Sequence, residues 1–139
     1  MRLLYVLMIL ASSGIGSAQI FTKVTDSPLS TIKGDSRSVN WVDVNGDGYV
    51  DCFISNGPQA GQNNMLYIND TNGNFTSVAD DPIVMDMMPS DGATFADIDN
   101  DGDLDGFVVN WYNKNNLAYI NDGSGKFTQV LDGIWVNHF

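Results

Sequence analysis

An internal repeat limits what this chain can fold into more than any single motif does. DVNGDGYVDCFISN (Asp43 to Asn56) returns as DIDNDGDLDGFVVN (Asp97 to Asn110) 54 residues later. NNMLYINDTNGNFTSV (Asn63 to Val78) returns as NNLAYINDGSGKFTQV (Asn115 to Val130) after 52 residues. The difference falls in a connecting loop, 57–62 in the first copy against 111–114 in the second. An earlier echo, FTKVTDSPL from Phe21, matches FTSVADDPI from Phe75. The period divides the chain into a first unit at about 21–74, a second at about 75–126, and a partial third at 127–139.

Each unit reads as four short strands. In the first they run near Val39–Val42, Tyr49–Ser55, Met65–Ile68 and Asn74–Val78. Aromatic and β-branched residues fill these runs, and Asp, Asn, Gly or Pro bound them. The Asx- and Gly-rich links 69–73 and 121–125 suit a hairpin between the third and fourth strands. Composition points the same way. All 17 acidic residues are Asp, and Asp, Asn and Gly make up 46 of 139 residues, a turn-rich mixture that excludes a helical bundle. The fold class expected is therefore all-β, with antiparallel four-stranded blades of the β-propeller type. Propellers close with about four to eight blades, and two units and a fraction fall short of that. Two explanations are expected: missing C-terminal sequence that supplies further blades, or self-association of chains.

The net charge of −11, with six Lys and Arg, excludes nucleic acid as a partner, because phosphate binding needs clustered cations. Residues 1–18 read as a secretory signal peptide: Arg2, an apolar run from Leu3 to Ala11, then Gly16-Ser17-Ala18 before a cleavage point. That run is too short for a transmembrane segment, so a secreted or cell-surface location is expected. The alternative for these residues is a buried N-terminal helix. Cys52 is the lone cysteine, read as a small buried hydrophobe.

The chemistry lies in two nine-residue loops. Positions 1, 3, 5 and 9 are Asp43, Asn45, Asp47 and Asp51 in the first, and Asp97, Asp99, Asp101 and Asp105 in the second. Gly48 and Gly102 take position 6, and Tyr49 and Asp103, at position 7, would each offer a backbone carbonyl. Carboxylates packed this densely repel unless a cation sits among them. Hard oxygen donors in a tight loop suit Ca²⁺. Zinc would prefer His or Cys, and the chain has one of each, far apart. An EF-hand needs a bidentate Glu at position 12 and flanking helices, but Ile54 and Val108 stand there inside β-rich runs. The metal-free alternative is that Asx side chains only cap tight turns.

DVNGDGYVD and DIDNDGDLDG, each followed by LYIND or AYIND and then G-x-F-T, resemble the FG-GAP-like/VCBS repeats, which are related to those of the integrin α-subunit β-propeller. The resemblance covers nearly all of the chain beyond residue 18. It implies a Ca²⁺-stabilised propeller on an extracellular protein, with each ion held in the loop between the first two strands of a blade. Asn45 replaces the usual Asp, which lowers the charge of the first loop.

No catalytic constellation stands out, and no enzyme activity is expected. His138 lies next to the C-terminus, and there is no P-loop or dinucleotide fingerprint. Asp80, Asp81 and Asp86 are expected to be solvated linker charges, and Trp41 a core residue aligned with Phe95. Asn69 and Asn74 match the N-glycosylation pattern but are read first as hairpin residues. Trp111 and Tyr112 fall in the variable loop, where partners usually bind, and form a candidate contact surface. The expected role is adhesion or recognition of an extracellular protein or glycan ligand. The alternative is a non-catalytic N-terminal module of a longer secreted enzyme acting on polysaccharide.

Overall fold

The computed structural model describes residues 21–132. The expected signal segment 1–18, Trp135 and His138 lie outside the described residues. The described residues form two antiparallel four-stranded sheets. Sheet one contains β1 (Ser36–Val42), β2 (Asp51–Asn56), β3 (Met65–Asn69) and β4 (Phe75–Val78); sheet two contains β5 (Ser90–Ala96), β6 (Asp105–Asn110), β7 (Leu117–Asn121) and β8 (Phe127–Gln129). Both run in simple chain order, as propeller blades do. The sequence period is offset from the sheets, because Phe75 opens the second sequence unit but lies in the last strand of sheet one.

Equivalence extends to register. Trp41, Cys52, Tyr67 and Ser77 pair in a row across sheet one, and Phe95, Gly106, Tyr119 and Gln129 form the same row in sheet two. Each first strand carries a register shift at the same place, Ser36/Ser38 and Ser90/Gly92. Asn56 and Asn110 close the β2–β3 and β6–β7 connections alike. Their amides donate to the Asn63 and Asn115 carbonyls at 2.8 Å, and their backbone N–H groups donate to Asn64 Oδ1 and Asn116 Oδ1 at 3.0 Å.

The sheets meet through one apolar core containing Val42, Val44, Phe53, Leu66, Ile83, Val108, Leu117, Tyr119 and Phe127. Phe53 meets Phe95 edge to face with ring centroids 5.5 Å apart, and Phe95 meets Phe127 at 6.3 Å. Each large side chain buried there contributes about 1.5–3 kcal/mol. Gly106 stands where sheet one has Cys52, and a Cβ at Gly106 would come 2.8 Å from Ile83 Cδ1, so the smaller residue admits Ile83 to the core. Cys52 is itself buried, and burial pushes its thiol up to about 11.

Two expectations are corrected. Trp41 is 56% exposed and packs edge to face on Phe75 at 5.9 Å, because its side of sheet one points away from sheet two. The linker acids are not all solvated. Asp80 is exposed, but Asp81 is buried. It caps the short 3₁₀ turn Pro82–Val84, accepting from Ile83 N at 3.1 Å, and its other oxygen accepts from Phe127 N at 3.1 Å. Asp86 accepts from Tyr119 Oη at 3.0 Å, from Asn64 Nδ2 at 3.2 Å and from Met88 N at 3.0 Å. Burial raises its pKa against those hydrogen bonds, and burial together with Asp86 raises that of Tyr119. The sequence signal was available for Asp81 only: S/D-P-L/I recurs at Ser27–Leu29 and Asp81–Ile83. Ser27 indeed caps the short α1 (Pro28–Thr31) in the same way.

Asp81→Ala strips a cap and a buried amide of their acceptor, a loss of about 1–3 kcal/mol. Urea unfolding should show a lower midpoint at unchanged slope. Asp80→Ala, at an exposed position, should leave the midpoint within error.

Candidate metal centre

Both acidic loops lie between the first two strands of a sheet, and both are wound around their own carboxylates. In the first, the Asp43 carboxylate accepts from Gly48 N at 2.8 Å and Asp47 N at 3.2 Å, Asn45 Oδ1 accepts from Asp47 N at 3.1 Å, and Asp47 Oδ1 from Tyr49 N at 2.9 Å. In the second, the Asp97 carboxylate accepts from Gly102 N at 3.2 Å and Asp101 N at 3.1 Å, Asp99 Oδ1 from Asp101 N at 3.2 Å, and Asp101 Oδ1 from Asp103 N at 3.0 Å. Gly48 and Gly102 have φ of +88° and +102°, a backbone region that side chains with a Cβ rarely adopt. A second left-handed position, not singled out from the sequence, is Gly46 at +69° and Asn100 at +66°. Asn and Gly are the residues that tolerate it, so the G/N alternation at loop position 4 was the missed signal.

Position 9 differs from the rest. Asp51 and Asp105 are fully buried. Asp105 Oδ2 accepts from Ile98 N at 2.8 Å and Oδ1 from Asn121 N at 2.9 Å; Asp51 accepts from Val44 N at 3.0 Å and Asn69 N at 2.8 Å. Each carboxylate therefore joins its loop to the end of the third strand of its own sheet. The asparagine of the Y-I-N-D segment extends the tie. Asn121 Nδ2 donates to Leu104 O at 3.1 Å and to Val44 O, in the other sheet's loop, at 2.7 Å.

Carboxylate oxygens of Asp97, Asp99 and Asp105 lie within 4.8 Å of one another, a group that could hold a metal ion. The corresponding first-loop residues are Asp43, Asn45 and Asp51, two carboxylates and an amide. Asp101 lies outside the trio, with Oδ1 on the Asp103 amide. The Asp103 side chain turns to the second hairpin, where a Cβ at Gly123 would overlap its carboxylate. Tyr49 is exposed. Desolvation, then repulsion from Asp101 and Asp105, holds the Asp99 carboxyl above its ordinary range. Asp103 is raised for the same reasons, with Asp97 and Asp122 adding to the repulsion. The donor set is all oxygen and anionic, and each oxygen bonded to one amide keeps a further lone pair. That chemistry fits a hard divalent cation with a high coordination number better than a soft one.

The variable loop stands at the end of β6. Trp111 and Tyr112 are both exposed, with ring centroids 6.0 Å apart and planes tilted by 50°. Tyr112 and Asn113 have φ of +54° and +60°. Hydrogen bonds from Trp111 N to Pro89 O at 3.0 Å and from Lys114 N to Trp111 O at 3.2 Å hold the loop. A cavity of about 220 Å³ lies against it, lined by Val109, Asn110, Trp111, Lys114 and Asn116 among others.

Two chain-ordered antiparallel sheets, each with an acidic loop after its first strand, define a repeat protein of the β-propeller type. Residues 43–108 match the model of the FG-GAP-like repeat family. No match is found among curated proteins or among solved structures. Among the described residues no helix is long and apolar enough to cross a membrane.

Replacing Asp105 with Ala leaves two amides, Ile98 N and Asn121 N, without acceptors, and should cost about 2 kcal/mol or more. Because this tie needs no ion, the loss should persist in excess chelator, read by chemical denaturation. Asp51→Ala should behave alike.

Proposed function

We propose that the chain is an exported, calcium-stabilised β-propeller-type repeat module that recognises an extracellular protein or glycan and carries out no catalysis. The observation that carries the reading is that carboxylate oxygens of Asp97, Asp99 and Asp105 lie within 4.8 Å of one another. Carboxylates do not gather at that spacing without a cost that a cation removes. A Ca²⁺ ion would be held in the second loop by Asp97, Asp99, Asp101 and Asp105 with the Asp103 carbonyl, and in the first by Asp43, Asn45, Asp47 and Asp51 with the Tyr49 carbonyl. The first site carries less charge because of Asn45. Each ion would clamp its loop on the buried position-9 carboxylate, so calcium would stiffen the seam where Asn121 crosses between sheets.

Recognition falls to the variable loop. An exposed Trp-Tyr pair flanked by Asn amides and a Lys provides apolar ring faces beside hydrogen-bond donors, the combination that suits a sugar or a polar peptide segment. Tyr112 is a bulky residue in a left-handed conformation, a strain of about 1–3 kcal/mol that concentrates at ligand-binding loops.

Calorimetric titration of Ca²⁺ into the chelator-stripped chain should show two binding events, the second-loop site tighter, with a melting temperature that rises with calcium. A folded chain without either response would sink the calcium reading. The raised Asp99 carboxyl fixes the sign of a companion experiment. A carboxyl raised in the folded state makes the chain hold its proton more tightly folded than unfolded, so ionisation removes stability as pH rises through the carboxylate range. Asp99→Asn should therefore raise the melting temperature above that range in chelator while weakening the gain from calcium. Replacing Trp111 and Tyr112 together with Ala should abolish binding on a glycan and extracellular-protein array without lowering the melting temperature. Unchanged binding would exclude this loop as the contact surface.

A further inference from the structure

Asparagine is followed by glycine three times, at Asn45–Gly46, Asn56–Gly57 and Asn72–Gly73. In such a pair the glycine nitrogen can attack the asparagine side-chain carbonyl, because glycine has no Cβ to stand in the way. The fold treats the three pairs differently. Gly57 N donates to Asp35 O at 3.0 Å. Asn56 is fully buried with its amide tied on both sides, Oδ1 accepting from Ser36 Oγ at 3.0 Å and Nδ2 donating to Asn63 O at 2.8 Å. Gly73 N donates to Asn69 Oδ1 at 3.2 Å, and Asn72 Nδ2 donates to Asp70 O at 3.1 Å. Gly46 N, alone of the three, donates no hydrogen bond among the described residues, and Gly46 is exposed.

The carbon under attack is also prepared at Asn45. Its Oδ1 accepts from Asp47 N at 3.1 Å, a turn that closes around the Gly46 peptide, and its Nδ2 donates to Asp47 Oδ2 at 3.1 Å. A backbone donor on Oδ1 draws electron density from the amide carbon and sits where negative charge develops when that carbon is attacked. Asn72 Oδ1 has no such donor among the described residues. Space around Gly46 is open, since a Cβ built there would meet only Gly123 O, at 3.9 Å. At the corresponding place the second loop has Asp99 followed by Asn100. The second loop thus already carries the acid that hydrolysis of the Asn45 amide would produce.

We propose that Asn45–Gly46 is a self-modifying site, deamidated with solvent water ahead of the other two pairs. The Gly46 nitrogen gives up its proton and bonds to Asn45 Cγ, the Cγ–Nδ2 bond breaks, and ammonia leaves with the proton. Water then opens the cyclic imide. Opening at the side-chain carbonyl leaves an aspartate at position 45, and opening at the main-chain carbonyl leaves an isoaspartate, whose backbone is longer by a methylene. Nothing is oxidised or reduced. The consequence for the ion rests on the calcium reading above. The aspartate gives the first loop the carboxylate that the second loop has at position 3, whereas the isoaspartate displaces position 3 and loosens the loop. The first site therefore changes as the protein ages, and the second does not.

The test is incubation of the full chain at mildly alkaline pH, folded and in urea, followed by digestion with chymotrypsin. Cuts after Trp41, Tyr49, Phe53, Tyr67 and Phe75 separate the three pairs. Mass spectrometry reads the conversion of amide to acid, and an isoaspartyl methyltransferase labels the isomer. In the folded chain Asn45 should convert about tenfold faster than Asn56 and Asn72, the worth of the hydrogen bond that their glycines must first break. In urea the three rates should draw together. Equal rates in the folded chain overturn the proposal, and so does a lead of Asn45 that persists unchanged in urea. Asn45→Asp supplies a second readout: calorimetric titration should show the first-loop calcium affinity rising toward that of the second loop. An affinity unchanged by Asn45→Asp overturns the consequence for the ion. If neither the chain nor Asn45→Asp binds calcium, that consequence and the calcium reading fall together, while the ranking of the three pairs, which needs no ion, decides the modification by itself.

Discussion

Two buried carboxylates, Asp51 and Asp105, hold this architecture together locally. Each has given up water and accepts two backbone amides in its place, one from its own loop and one from the end of the third strand. An unpaired buried carboxylate would be very costly, and a carboxylate with two amide donors is not. The cost is nonetheless incomplete in its repayment, because burial still raises the Asp51 pKa against both hydrogen bonds. That residual electrostatic strain is what a cation in the loop would relieve. Structure and proposed calcium binding thus use the same side chains, with the amides fixing where the oxygens sit and the ion neutralising them.

Around those carboxylates, asparagine does most of the joining. Asn56 and Asn110 close the strand connections within each sheet, while Asn64 reaches out of sheet one to Asp86 and to Ser90 Oγ at the start of β5. Asn121 spans from its own loop to Val44. An amide both donates and accepts without carrying charge, so it can satisfy backbone groups at buried junctions where another Asp would add repulsion. The linker contributes acids instead. Asp81 and Asp86 bind the segment between the sheets to β8 and β7, which makes the inter-sheet geometry a property of the linker as well as of the apolar core.

The two sheets are equivalent in backbone and unequal in chemistry. Asn45 against Asp99 changes the charge of the loops, Cys52 against Gly106 changes whether Ile83 can enter, and Gly57-Pro58 against Trp111-Tyr112 changes which sheet presents aromatic rings. A duplicated frame with substitutions at loop and core positions gives one sheet the denser carboxylate trio and the exposed aromatic pair together. The candidate ion site and the candidate contact loop lie at opposite ends of β6.

Local features were legible in the sequence. The repeat, the eight strands, the hairpins and the acidic loops follow from alternation, turn chemistry and the spacing of Asp, all of which depend on neighbours within a few residues. The FG-GAP-like likeness rested on the same short patterns. What the sequence left open depends on contacts between distant residues. Which side of sheet one faces its neighbour is set by the packing of Phe53 on Phe95, and that alone turned Trp41 from an expected core residue into an exposed one. Asp81 and Asp86 looked like ordinary linker charges because their partners, Phe127 and Tyr119, are 46 and 33 residues away. The sequence by itself determined the elements and the donor set of the loops. Only the tertiary structure decided which acids are buried and which apolar faces are covered, because burial belongs to the assembled sheets rather than to any stretch of chain.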